Sequence, residues 1–258
     1  MKLKNWLSTL IASGLMGLAG TGHAAIVSDV VWVIDTSGSM GDDIAQVKNR
    51  IVDFNTAMIN SGIDARYGLV RFGGTANLIQ DITTFDLFSQ AGSPFQLLTA
   101  NGGGTEDGSA AIQVALGATF RSSTVRNIIV VTDEDDDNSL NRTALDEALD
   151  ATAPNELINV IGNPDDDSNS YYQGLAAANG GNFFNIISFR NDPAAFFTNF
   201  INTKVAEVLD FCAQNPTAPG CNSNDVPEPG SLALLGGGLL VVLGLRRRQQ
   251  PRPACDRP

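Results

Sequence analysis

The sequence predicts an α/β fold of three layers: a doubly wound, mostly parallel sheet with helices on both faces. Three observations carry this. Strand-like and helix-like stretches alternate from Ala25 to about Asp210. Asn127 to Thr132 is a continuous apolar run, of the kind found in strands buried on both faces. The run Val30-Val31-Trp32-Val33-Ile34 stops abruptly at the carboxylate of Asp35. In open sheets of this class, ligands sit above the carboxyl ends of strands, where the strand order reverses.

Taken in order, Ile26 to Ile34 reads as the first strand. Gly41 to Ile59 reads as a helix, with Ile44, Val47, Ile51, Phe54 and Met58 at helical spacing. Tyr67 to Phe72 is a second strand, and Leu78 to Phe85 a weaker one suited to an edge. Asp86 to Leu98 reads as helical, broken or bent at Pro94. The glycine loop Asn101-Gly102-Gly103-Gly104-Thr105 opens a helix from Glu106 to Phe120. After the Asn127 strand come a helix from Thr143 to Ala151, a strand from Leu157 to Ile161 and a helix from Ser170 to Ala178. A last strand, Phe183 to Ile187, precedes a long amphipathic helix from Pro193 to Phe211.

The chain has 258 residues, 43% of them hydrophobic, and a formal charge of −12. Basic residues cluster at both ends. Between residues 25 and 228 nine basic residues face 27 acidic ones, so this body carries about −18. Such a body does not suit nucleic acid, whose phosphates require a basic surface. It suits cations. The only histidine is His23. It falls in residues 1–24, which read as a secretory signal peptide: Lys2 and Lys4, an apolar middle, then Gly22-His23-Ala24. Signal peptidase cleavage there would leave a protein without histidine, which excludes Ser-His-Asp and Cys-His catalysis and histidine-ligated zinc.

Asp35, Ser37 and Ser39 alternate after the first strand, with Gly38 allowing a sharp turn. Three hard oxygens, one charged, suit Mg²⁺, Mn²⁺ or Ca²⁺. The same residues also permit a plainer reading. Ser39 and Asp42 approach a helix capping box, and Asp35 and Ser37 are common turn residues.

Across about 180 residues the chain resembles a von Willebrand factor type A (VWA) domain with a metal-ion-dependent adhesion site. Asp35, Ser37 and Ser39 match that family's Asp-x-Ser-x-Ser, Thr105 its separate threonine, and Asp133 the aspartate after the fourth strand. The resemblance implies a Rossmann-like fold and one divalent cation, usually Mg²⁺, with Ca²⁺ or Mn²⁺ as alternatives. Ser37 and Ser39 would bind it directly, Asp35 and Asp133 directly or through water, and Thr105 according to conformational state. It also implies that a partner's carboxylate completes the coordination. One departure stands out: the family's aspartate is usually followed by glycine, whereas Asp133 is followed by Glu134, Asp135, Asp136 and Asp137. With Asp165, Asp166 and Asp167 these form an acidic rim expected to favour cations and repel an approaching carboxylate. The rim is either a solvated acidic loop or a second cation site, for which Ca²⁺ has the coordination number.

Cys212 and Cys221 bracket a Pro-containing segment in a linker, residues 212–226. In an oxidising compartment they form a disulfide; otherwise they remain two thiols. Beyond it, Val226-Pro227-Glu228-Pro229, an apolar stretch from Ser231 to Leu245 and Arg246-Arg247-Arg248 follow in order. The apolar stretch is short of the roughly 20 residues of a full helical span, and the arginines would stay inside. The arrangement resembles a PEP-CTERM sorting signal, placed at residues 227–250, with residues 251–258 as a cytoplasmic tail. A simple C-terminal anchor is the plainer alternative. The resemblance implies a Gram-negative type bacterium, recognition by an exosortase, transient inner-membrane anchoring and delivery of the body, residues 25–211, to the envelope, surface or extracellular matrix. The expected function is adhesion or ligand binding through the cation, to an extracellular protein or polysaccharide, with a link to biofilm material. A calcium-stabilised structural protein is the alternative. A metal-assisted hydrolase ranks lower: its base would have to be Glu106, Glu134 or a rim aspartate, and no enzymatic activity is expected.

Overall fold

The computed structural model describes residues 26–152, 156–165 and 170–221. The chain divides at Ser223/Asn224 into two units, the second of which lies outside the described residues. Residues 1–24, read above as a signal peptide, Asp166, Asp167 and Val226 to Pro229 of the sorting motif also lie outside them.

Among the described residues, six strands form one sheet: β1 (Ile26–Asp35), β2 (Ile63–Phe72), β3 (Asn77–Thr83), β4 (Val125–Val131), β5 (Glu156–Gly162) and β6 (Phe183–Asn185). Their order is β3-β2-β1-β4-β5-β6, all parallel except the β2–β3 pair. The helices are α1 (Gly41–Asn60), α2 (Phe85–Ser89), α3 (Pro94–Leu97), α4 (Gly108–Leu116), α5 (Ser139–Thr152), α6 (Ser170–Ala178), α7 (Ile186–Asn191) and α8 (Pro193–Gln214). A single 3₁₀ turn, Gly38–Met40, joins β1 to α1.

Alternation along β1 assigns the layers. Val30, Trp32 and Ile34 pack with Ile44, Phe54 and Met58 of α1 and with Phe197, Phe200 and Val208 of α8. Val31 and Val33 pack on the other face with Ile112 of α4, Leu145 of α5 and Tyr172 of α6. Trp32 is fully buried, edge-on to Phe54 at 5.5 Å and tilted against Phe200 at 6.2 Å. Because β1 feeds both cores and lies mid-sheet, its carboxyl end has little freedom to move. The strand order reverses between β1 and β4, so the crevice between their carboxyl ends is the site this topology offers to a ligand.

Two segments depart from the sequence reading. Pro94 does not break a helix but starts one. It occupies the first turn of α3, and Ser93 Oγ accepts from the Gln96 N–H at 3.2 Å. The expected strand over Phe183–Ile187 stops at Asn185, whose side chain accepts from the Ile187 N–H at 2.7 Å and so begins α7. That short helix was not legible in the sequence, and it carries a residue that reaches the site.

Cys212, at the end of α8, is joined to Cys221 in a disulfide. The tethered segment returns to the sheet, where Val27 N–H donates to the Gly220 carbonyl at 2.9 Å. Closing a loop of this length stabilises a fold by about 2–3 kcal/mol through the unfolded chain. Replacing both cysteines by serine is therefore expected to lower the unfolding free energy measured in urea by that amount. An unchanged midpoint would show that α8 and β1 hold the segment without the bridge.

Candidate metal centre

Asp35 is the last residue of β1 and is fully buried. One carboxylate oxygen accepts from the Ser37 N–H at 2.8 Å and the other from the Thr132 hydroxyl at 3.0 Å. The first bond fixes the turn after β1; the second ties β1 to the end of β4. Burial raises the Asp35 carboxyl above its ordinary range, and the Ser37 and Thr132 bonds oppose that rise. A buried carboxylate held this way is short of positive charge.

Ser37 Oγ lies 3.2 Å from Ser39 Oγ, and Ser39 Oγ donates to an Asp133 carboxylate oxygen at 3.0 Å. Neither serine caps a helix. The 3₁₀ turn and α1 both begin without a side-chain cap bond, so the capping-box reading of Ser39 and Asp42 does not hold. Two hydroxyls and two carboxylates therefore stand together at the β1–β4 switch point, drawn from segments 94 residues apart.

The glycine loop closes the other side. Gly102 N–H donates to the Thr36 carbonyl and Gly103 N–H to the Gly73 carbonyl, each at 2.7 Å. Gly74 N–H donates to the Thr105 carbonyl, also at 2.7 Å, which sets Thr105 beside the Asp35 turn with its side chain exposed. Two glycines are required here. Gly73 has φ +95°, and a Cβ on it would lie 3.0 Å from an Asp35 carboxylate oxygen. A Cβ on Gly102 would lie 2.5 Å from the Gly73 carbonyl oxygen and 2.7 Å from Thr36 Oγ1.

Sequence reasoning missed Arg190 and Asp43. Arg190, on α7, holds the buried Asp43 of α1 with two guanidinium nitrogens and reaches Asp133 at 2.7 Å. The hydrogen bonds Arg190 donates to Asp43 first, and then to Asp133, raise its already high pKa. One oxygen of Asp133 is thus taken by Arg190 and the other faces Ser39. The available signal was indirect: Arg190 is the only basic residue between Arg142 and Lys204 in an acidic stretch.

The acidic run after Asp133 is not a uniform rim. Asp136 points inward, where its carboxylate accepts from the Ser109 N–H and hydroxyl and from Arg142 Nε, at 2.9, 2.7 and 2.7 Å. Asp137 accepts from the Glu106 N–H at 2.7 Å. Glu134 and Asp165 are exposed and Asp135 is partly so. Among the described residues no three His, Cys, Asp or Glu side chains form an ion cage. Glu106 is buried beside Thr105. Burial, and then the charges of Asp35, Glu134, Asp137 and Asp133, push its carboxyl up to about 7.

The donor set of Asp35, Ser37, Ser39, Thr105 and Asp133 fits a small hard cation. It is all oxygen and contains two carboxylates, the donor chemistry that hard divalent cations such as Mg²⁺ and Ca²⁺ take. The arrangement defines an α/β domain with an oxygen-lined centre at its topological switch point. The chain belongs to the von Willebrand factor type A domain family, whose model matches residues 29–198. A second model, the PEP-CTERM protein-sorting motif, matches residues 225–248. That motif marks the chain as an exported protein of the Gram-negative cell envelope, processed by an exosortase.

Among solved structures, von Willebrand factor type A from Catenulispora acidiphila is similar at 21% identity and a TM-score of 0.52. The match covers 70% of this chain but only 42% of that one. An aerotolerance-related membrane protein from Bacteroides fragilis, carrying multiple mutations to serines, is similar at 18% identity and a TM-score of 0.48. There the match covers 70% of this chain and 99% of that one. A comparison with curated protein sequences gives no match. Among the described residues no helix is long and apolar enough to cross a membrane.

Arg190→Ala would leave the Asp43 carboxylate buried without its cation and release Asp133. The expected cost is about 2–3 kcal/mol in urea unfolding. Arg190→Lys, with one ammonium in place of a fork, is expected to recover only part of it. An Arg190→Ala protein as stable as the parent would mean that the guanidinium does not hold these two carboxylates together.

Proposed function

We propose that this exported protein binds a partner at the cell surface through a divalent cation, Mg²⁺ in the first instance, held by Asp35, Ser37, Ser39, Thr105 and Asp133. The observation that carries this reading is the hydroxyl–hydroxyl–carboxylate chain, with spacings of 3.2 and 3.0 Å, at the β1–β4 switch point. Neither serine has a capping role that would otherwise account for it.

The chemistry of binding follows from the donors. A cation held there would supply Lewis acidity toward a ligand oxygen. Asp35 accepts from the Ser37 N–H and the Thr132 hydroxyl, which fixes the turn carrying the two serines against the end of β4. Ser37 and Ser39 present neutral oxygens, so only Asp35 and Asp133 bring negative charge and a ligand carboxylate can complete the oxygen coordination. Arg190 neutralises part of Asp133, which favours that carboxylate. Repulsion from the acidic run is weaker than composition implies, because Asp136 and Asp137 are occupied within the fold. The ligand class supported is an extracellular molecule bearing a carboxylate. The domain serves recognition rather than a chemical step.

Calorimetric titration with Mg²⁺ and Ca²⁺ tests the metal. The parent is expected to bind one ion, and Ser39→Ala or Asp133→Asn to weaken it by more than about tenfold, since even outer partners of metal ligands carry effects of that size. Thr105→Ala is expected to leave the unfolding midpoint unchanged while lowering ion-dependent ligand binding. No ion bound by the parent, or equal binding by the Ser39 and Asp133 variants, would overturn this function.

A further inference from the structure

Beside the candidate centre lies a cavity of about 260 Å³. Thr36 and Gly73 form part of its wall, and the same two residues pack directly on Asp35 and Ser37. Arg71, Thr75, Asn77 and Asn101 supply the polar lining, and no carboxylate lines it. This is unusual in a body with a charge near −18.

Of the nine basic side chains in this body, Arg66 and Arg71 have neither an ion pair nor a side-chain hydrogen bond among the described residues, and of these two only Arg71 lines the cavity. Arg121, Arg126, Arg142, Arg190 and Lys204 each pair with a carboxylate, and Lys48 donates to the Gln96 and Leu98 carbonyls. Arg71 is exposed at the carboxyl end of β2, opposite Ile34 in the sheet register. Among the described residues it has no hydrogen bond and no ion pair. An unpaired guanidinium in a carboxylate-free hollow, next to a cation centre, is a receptor for a second anion. Its planar fork matches a carboxylate in two parallel hydrogen bonds.

We propose that this cavity is a second anion subsite, and that the ligand is an acidic peptide segment carrying two carboxylates, one for the cation and one for Arg71. The inference rests on the cation-dependent binding described above. A peptide fits better than an acidic polysaccharide because the cavity offers no exposed ring for a sugar face: its one aromatic, Phe72, is 1% exposed. The Asn101 amide and Thr75 hydroxyl add neutral donors of the kind that hold a carboxylate or a peptide carbonyl. The two subsites also answer a specificity problem. A single carboxylate on a cation says little about its bearer, whereas two carboxylates at a fixed separation select a short sequence.

The test uses the full chain with saturating Mg²⁺ and end-blocked peptides containing either one aspartate or two, spaced by zero to two glycines. Affinity is measured for the parent, Arg71→Gln and Arg71→Lys. At least one two-aspartate peptide is expected to bind the parent about tenfold more tightly than the one-aspartate peptide. Arg71→Gln is expected to remove that advantage while leaving one-aspartate binding, Mg²⁺ affinity and the unfolding midpoint unchanged. Arg71→Lys is expected to restore part of it. If the one-aspartate peptide binds in a Mg²⁺-dependent way but a second aspartate adds nothing, or its gain survives Arg71→Gln, the subsite is overturned and the metal reading stands. If the parent binds neither Mg²⁺ nor peptide, both are overturned. An Arg71-dependent gain seen with an oligogalacturonate and with no peptide would overturn the peptide assignment.

Discussion

The structure depends on one buried carboxylate. Asp35 ends the central strand with no exposure to solvent, and three parts of the fold are built against it. Its oxygens order the Ser37 turn and capture Thr132 at the end of β4. Gly73, after β2, packs so closely that no side chain fits there. The carboxyl ends of β2, β1 and β4 are thereby locked around one charge, and the glycine loop before α4 is latched to the same place through Thr36 and Gly73. Burying a carboxylate without a full counter-charge is unfavourable. A fold that retains one at a ligand-binding crevice places a demand for positive charge at the point where a cation would serve recognition.

The acidic body meets the same demand elsewhere with its few basic residues. Arg121 closes the opposite end of the sheet, gripping buried Asp29 at 2.7 Å and Asp64 at 2.6 Å. Arg142 fastens Asp136 to the side of α4, and Arg190 fastens α7 to α1 and to the Asp133 loop. Buried Lys204 rests on Glu207, whose second oxygen is held by Asn182. Arg121, Arg142 and Arg190 stand at junctions between elements rather than in a solvated surface pair such as Arg50–Asp53, which contributes little. Arg66 and Arg71 lie outside this pattern, and of the two only Arg71 lines the cavity beside the candidate centre.

The alternating pattern made the layer architecture and its mostly parallel sheet legible in the sequence, because periodicity reports which face a residue buries. Thr105 and Asp133 could be placed through the resemblance to the von Willebrand factor type A family, Asp133 at the carboxyl end of a strand and Thr105 in the glycine loop that opens a helix. What stayed hidden involved side chains meeting across long separations. Asp136 looked like one of four equal acidic residues, and only Ser109 and Arg142, brought in by α4 and α5, turn it inward. Arg190 was hidden because Asn185 converts an apparent strand into a helix, which points the guanidinium back at α1. The Arg71 cavity was equally invisible. It needs the ends of β2 and β3 and the glycine loop in one place, and no local pattern encodes that meeting.

The central claim is that Asp35, Ser37, Ser39 and Asp133 surround a cation rather than only one another. The most direct measurement is an anomalous difference map from crystals grown with Mn²⁺, which scatters where Mg²⁺ would bind. The account expects one strong peak within bonding distance of the Ser37 and Ser39 hydroxyl oxygens, with the Asp133–Arg190 contact in place beside it. A map with no peak there, or with its only peak on the acidic loops after β4 and β5, would contradict it.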